Sequence, residues 1–208
     1  SKRQPGRVRG IQGLYAPMVG RDQELERLKR AADEVLEHQN GQIALVLGDA
    51  GIGKSRLTEE FKQYLKDKDA LILEGDCLSY TRTITYWEFQ QMLKKYFDIG
   101  DDDAESAMRA KIETQVKALA PAAWLDIVPY LEHLLSIRLL SGELQEKVQY
   151  LTPAQLQQQT FLAVRELFRA QARRRAVVLI LDDLHWADKR SLDLLIFLFS
   201  ISEQSATM

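Results

Sequence analysis

Residues 48–55 read G-D-A-G-I-G-K-S, and the apolar run Ile43–Leu47 stands directly before them. Glycine weakens helices and strands, so three of them, Gly48, Gly51 and Gly53, need a physical reason. The spacing is G-x-x-x-x-G-K-[ST]. A loop of this kind wraps an anion with inward-pointing backbone N–H groups, and glycine permits the close approach. The helix that follows offers the same anion its positive end. Read this way, Gly48, Asp49, Ala50, Gly51, Ile52, Gly53, Lys54, Ser55 and Arg56 form a phosphate cradle. Lys54 reaches the β- and γ-phosphates, and the Ser55 hydroxyl is a ligand for Mg²⁺.

Such a loop requires a strand before it and a helix after it. Ile43–Leu47 is short and continuously apolar, as expected of a buried parallel strand. Helical spacing returns from Ser55 to Leu65, and Ala70–Gly75 reads as a second strand, giving a βαβ unit. Upstream, Leu25, Leu28, Ala32, Val35 and Leu36 share one face of a helix beginning near Asp22. Residues 84–173 read as mostly helical, punctuated by Pro121, Pro129 and Pro153. Ala176–Asp183 is a third apolar strand that ends in two acids. Asp182 there is placed to hold Mg²⁺ with Ser55, and Asp183 to orient or deprotonate an attacking water.

Composition narrows the function classes. The formal net charge of -2 gives no general pull toward nucleic acid or acidic membranes. No apolar run approaches the roughly 20 residues that span a bilayer. The one cysteine, Cys77, excludes an internal disulfide, reads as a small buried side chain and suits a reducing, cytoplasmic setting. The three histidines show no ligand spacing. Arg173–Arg175 fit a helix C-terminus better than a nucleic-acid contact. The aromatic residues Tyr80, Tyr86, Trp87 and Phe89 read as core packing, and Asp101–Asp103 as a solvated helix start.

The segments "MVGRDQELERL" and "LILDDLHWAD" resemble the ATPase module of STAND and AAA-like regulators. Such modules occur C-terminal to class III adenylate/guanylate cyclase domains and in large ATP-dependent transcription regulators. "GRVRGIQGLYAPMVGRD", "LEGDCLSYTRTITYWEF" and "LTPAQLQQQTF" share the resemblance, which covers the chain from about Pro17. It implies an α/β P-loop NTPase fold: a parallel sheet flanked by helices, with a helical insertion at about 84–173 between the second and third strands. Residues 1–17 would be a linker and 18–208 the domain. It further implies ATP with Mg²⁺, adenine contacts from Val19, Gly20 and Arg21, slow hydrolysis, attached effector domains such as an upstream cyclase, and a signalling role that leaves oligomerisation open.

In relatives a further strand, ending in a polar sensor residue, inserts between the acid strand and the phosphate-loop strand, and a lid follows. The sequence reaches Met208 without them, so a sheet lacking its central member and an incomplete site are expected. His185, Trp186 and Asp188 have no derived role beyond packing, with Trp186 a core anchor and Asp188 a helix N-cap. Three rival functions share the loop: a non-hydrolysing ATP switch, a small-molecule phosphotransferase and an origin-recognition-type DNA-loading ATPase.

Overall fold

The structure, a computed structural model, describes residues 20–39, 41–138 and 148–202. Helix α1 spans Asp22–His38 and α2 Lys54–Lys66, followed by strand β1, Ala70–Asp76. Among the described residues four helices come next: α3 Trp87–Tyr96, α4 Glu105–Leu119, α5 Trp124–Leu134 and α6 Pro153–Ala172. Strand β2 (Ala176–Asp182), a short 3-10 turn (Leu184–Trp186) and α7 (Lys189–Ser202) complete the described chain. The expected linker at 1–17 lies outside the described residues.

β1 and β2 pair in parallel, from Ala70 opposite Ala176 to Asp76 opposite Asp182. This register brings the carboxyl ends of both strands to one level, where an open α/β sheet places its ligands. Gly75 is there because α3 crosses closely: a Cβ on it would lie 2.9 Å from Leu181 Cδ2 and 3.2 Å from both Cβ and O of Glu88.

The buried strand expected at Ile43–Leu47 is not formed. Residues 41–49 carry no strand ladder, and Ile43, Leu45 and Leu47 are 48%, 68% and 78% exposed. Strands are made by partners. β2 pairs with β1 on one edge, and among the described residues no strand pairs with its other edge or with Ile43–Leu47. Ile43–Leu47 therefore has no ladder to join among the described residues.

The core lies among the helices between the strands. Phe89, Leu93, Phe97, Ile112, Val116, Leu131, Leu134, Val164 and Leu167 form one buried cluster, joined by Leu194 of α7. α6 begins with a capping box: Gln155 N donates to Thr152 Oγ1 at 3.3 Å, and Thr152 N donates to Gln155 Oε1 at 2.9 Å. Pro153 follows at the first helical position, where its missing N–H is harmless. Pro129, read as punctuation, instead lies inside α5 and is buried in the core. Two expected core aromatics also sit differently: Tyr80 is 72% exposed and Trp186 only half-buried. Each stands on a turn rather than on the inner face of an element.

On the other side, α1 is fastened to α2 by polar bonds. The Tyr64 hydroxyl donates to Asp33 Oδ1 at 2.5 Å, and Lys68 pairs with the same carboxylate at 3.2 Å. The hydroxyl first, and the ammonium with it, hold the Asp33 carboxyl below its ordinary range. Lys62 of α2 reaches Glu74 of β1 at 2.9 Å.

Candidate nucleotide-binding site

The loop enters α2 through two left-handed glycines, Gly51 (φ 84°) and Gly53 (φ 93°), with Gly53 as the N-cap residue. A side chain at either position would be strained. No side chain caps α2, so the first N–H groups of the helix open toward the loop. The ammonium of Lys54 crosses the loop mouth, donating to Gly48 O at 2.9 Å and Asp49 O at 3.0 Å. Asp49, Ala50 and Ile52 are exposed along the loop. The Arg56 side chain turns instead to Glu60, one turn along α2.

The pairing of Ser55 with Asp182 crosses 127 positions of sequence: Ser55 Oγ donates to Asp182 Oδ2 at 3.4 Å. A hydroxyl and a carboxylate at this separation form an oxygen-only pair, the donor type that a hard cation such as Mg²⁺ prefers. No group of three or more His, Cys, Asp or Glu side chains among the described residues could hold a metal by itself. A cation at Ser55 and Asp182 would take its other ligands from phosphate oxygens and water.

The two neighbouring acids are in different surroundings. Asp182 is the last residue of β2, and its Oδ1 accepts from Asp183 N at 2.9 Å. Asp183 has left the strand: its backbone is left-handed (φ 55°, ψ 40°), and its carbonyl accepts from Trp186 N at 2.9 Å. The strand thus ends at Asp182, one residue before the expected Asp183, and only Asp182 is aligned with the ladder. Beside this end Cys77 is buried, and its N–H donates to Asp182 O at 3.2 Å. Burial, with Glu88 beside it, pushes the Cys77 thiol well above its ordinary range, so it stays an inert thiol.

Of the residues expected at the base, Val19 lies outside the described residues. Gly20 and Arg21 stand at the start of α1. Arg21 Nη1 donates to Glu24 at 2.7 Å and Nη2 to Ile52 O at 3.4 Å, which links this segment to the loop. A cavity of about 410 Å³ opens between them, lined by Arg21, Leu28, Val46, Gly53, Lys54 and Leu57 among others. Its apolar wall suits a planar base and its far end meets the loop. Sequence reading did not single out Leu28 or Leu57 as lining. Their only signal was helical periodicity, which says that a face is covered but not by what.

After the acids, His185 is exposed and its ring lies tilted against that of Trp186, centroids 4.9 Å apart. Asp188 caps α7, with Oδ1 accepting from Arg190 N at 2.9 Å and Ser191 N at 3.1 Å, as expected for this position. Its buried bond to Tyr86 was missed, because no local pattern announces a partner 102 residues away.

A glycine loop running into a helix N-terminus, with an acid-ended strand brought against its serine, defines a P-loop nucleotide-binding protein of the α/β class. Residues 17–208 match the family of AAA ATPase domains, and the chain belongs to that family. A relative, an uncharacterized protein of Rhizobium meliloti (strain 1021), is 27% identical over 193 residues. The match covers 89% of this chain but 18% of the relative, so the chain spans about a fifth of that protein's length. No solved structure matches. No helix among the described residues is long and apolar enough to cross a membrane.

Proposed function

We propose that the chain binds Mg-ATP, hydrolyses it slowly and serves as a nucleotide-controlled switch within a larger cytoplasmic signalling polypeptide. The observation that carries the reading is the approach of Ser55 to Asp182 at 3.4 Å beside the Lys54 loop. Lys54 would exchange its loop carbonyls for β- and γ-phosphate oxygens, Ser55 and Asp182 would hold Mg²⁺, and Asp183 would act on the attacking water. Gly20, Arg21 and the cavity beside them, with Val19, would receive the adenine. The control of attached effector domains, a cyclase among them, rests on the resemblance of the flanking segments. It agrees with the small share of the relative that this chain covers.

Replacing Lys54 by Ala tests the reading. Each charge-assisted hydrogen bond lost contributes about 1.5–3 kcal/mol, so Mg-ATP affinity measured by calorimetry should fall at least about tenfold. The melting temperature should stay close to wild type, because Lys54 touches only exposed loop carbonyls. Unchanged affinity would sink the proposal.

One observation favours a second reading, a switch that binds ATP and scarcely turns it over. Asp183 is an aspartate turned off the end of β2, with a shorter side chain than glutamate. Phosphate release under saturating Mg-ATP separates the two.

A further inference from the structure

Asp188 makes more bonds than a helix cap requires. Capping α7 occupies Oδ1 alone. Its other oxygen, Oδ2, accepts from the backbone N–H of Tyr86 at 3.0 Å and lies 2.5 Å from Ser191 Oγ. That hydroxyl in turn lies 2.6 Å from Glu88 Oε2. Glu88, Asp188 and Ser191 are 1%, 7% and 3% exposed, so this polar cluster is sealed from water. Buried polar groups persist where they are hydrogen-bonded, and such networks fix one arrangement of the elements they join.

The elements joined here all end near Asp182 and Asp183. Tyr86 is the N-cap residue of α3 and stands in a left-handed conformation (φ 61°, ψ 25°) that non-glycine residues disfavour. Asp188 receives the N–H that Tyr86 presents there. Glu88, two residues on, packs its backbone against Gly75 of β1. On the other side of Asp188 the chain runs back through a short closed turn, with Trp186 N on Asp183 O at 2.9 Å and Ala187 N on Leu184 O at 3.1 Å. That turn begins at Asp183, itself left-handed. Strand β2 therefore fixes one end of the turn and Asp188 fixes the other.

We propose that Asp188 is a positioning residue for Asp183: by anchoring the turn to the start of α3, it makes the helices between β1 and β2 and the acid at the end of β2 move as one body. The proposal rests on the ATPase function above. A plain cap would need only Oδ1 and would leave Asp183 indifferent to α3.

Asp188→Ser separates the two roles. Serine caps helices about as well as aspartate, but its single short side-chain oxygen cannot serve both α7 and Tyr86. Turnover and KM for Mg-ATP are measured in the full chain, together with the ¹⁹F NMR signal of 5-fluorotryptophan at Trp186, assigned by its loss in Trp186→Phe. The expected result is a fall in kcat of at least about tenfold with KM changed less than about threefold, since a misplaced catalytic group acts mainly on the chemical step. The Trp186 signal should shift or broaden as well. A Trp186 signal unchanged in folded Asp188→Ser overturns the proposal whatever turnover does. So does unchanged kcat where wild type is active, or a joint loss of kcat, KM and melting temperature. If Asp188→Ser does not fold, Asp188→Asn decides by the same readouts, because its amide oxygen keeps the cap while its NH2 group cannot accept the Tyr86 N–H. If wild type shows no hydrolysis, that counts against the slow-ATPase reading alone, and the Trp186 signal then decides the role of Asp188.

Discussion

The helices between β1 and β2 and the phosphate-loop half of the chain use similar residues to opposite effect. In the helical part, Phe89, Leu93, Ile112, Leu131 and Leu194 are sealed into one cluster. In the loop half, Ile43, Leu45 and Leu47 are as apolar yet stand in solvent. A helix satisfies its own backbone and then needs only a covered face. A strand needs a neighbour before its side chains have a surface to pack on. The site therefore sits where a large buried cluster meets a smaller part that buries Ala32, Leu57 and Leu65 and adds polar bonds such as Tyr64–Asp33 and Lys62–Glu74.

Core truncation tests this contrast most severely. Phe89→Ala should destabilise by about 3–5 kcal/mol, the usual cost of removing a buried aromatic ring. Leu47→Ala should change stability by less than about 0.5 kcal/mol, as exposed substitutions do. Denaturant titration of both variants checks the pair, and equal losses would break the contrast.

Next in size is the seam between the two parts. Gly75→Ala would place a Cβ 3.2 Å from the carbonyl oxygen of Glu88, which belongs to a helix backbone and yields poorly. Overpacking of this kind costs about 1–3 kcal/mol. Because the clash displaces α3 from the strand end beside Asp182, Mg-ATP affinity should fall along with the melting temperature. A smaller loss belongs to the helical part alone: Thr152→Ala removes the capping box of α6 and should cost about 1 kcal/mol with nucleotide binding unchanged.

The smallest effect is a matter of pH. Glu132 is fully buried, with Oε1 accepting from Arg109 Nε at 3.1 Å and Oε2 making no hydrogen bond. Burial raises its carboxyl above the ordinary range, and Arg109 offsets this only in part. A carboxyl raised on folding stabilises most below its unfolded pKa, and that contribution is lost as pH rises through the folded value. Stability should therefore decline as pH rises from the ordinary carboxylate range. Glu132→Gln should flatten that part of the profile in thermal melts taken across the acidic range.

Much of the geometry of the candidate site was legible in the sequence because its spacing is local. The spacing of Gly48, Gly53, Lys54 and Ser55 carries its own mechanical reason, and the apolar run before Asp182 announces a strand end. The strands at Ala70 and Ala176 were legible to within one residue at their ends. Ile43–Leu47 was not legible as a solvent-exposed segment, since local apolarity measures what a residue would gain from a partner and not whether one is beside it. Trp186 and Tyr80 misled for a related reason: size and apolarity favour burial, but a turn decides which way the side chain faces. Pro129 was misjudged because a proline inside a helix removes one hydrogen bond, a loss that the packing around α5 outweighs. The Asp188–Tyr86 bond could not be read at all, because it depends on how α3 and α7 meet.

The open edge of β2 has a consequence for the behaviour of the chain in a test tube. A strand whose N–H and C=O groups lack a neighbour on one side is a template for pairing with any extended chain that reaches it. The same chain exposes five consecutive apolar residues, Ile43–Leu47, free of charge and of proline, the composition from which cross-β contacts are made. Two molecules could pair such an edge and such a segment with one another. An unpaired strand edge and an exposed apolar segment in one molecule would together limit the concentration at which the chain stays in solution.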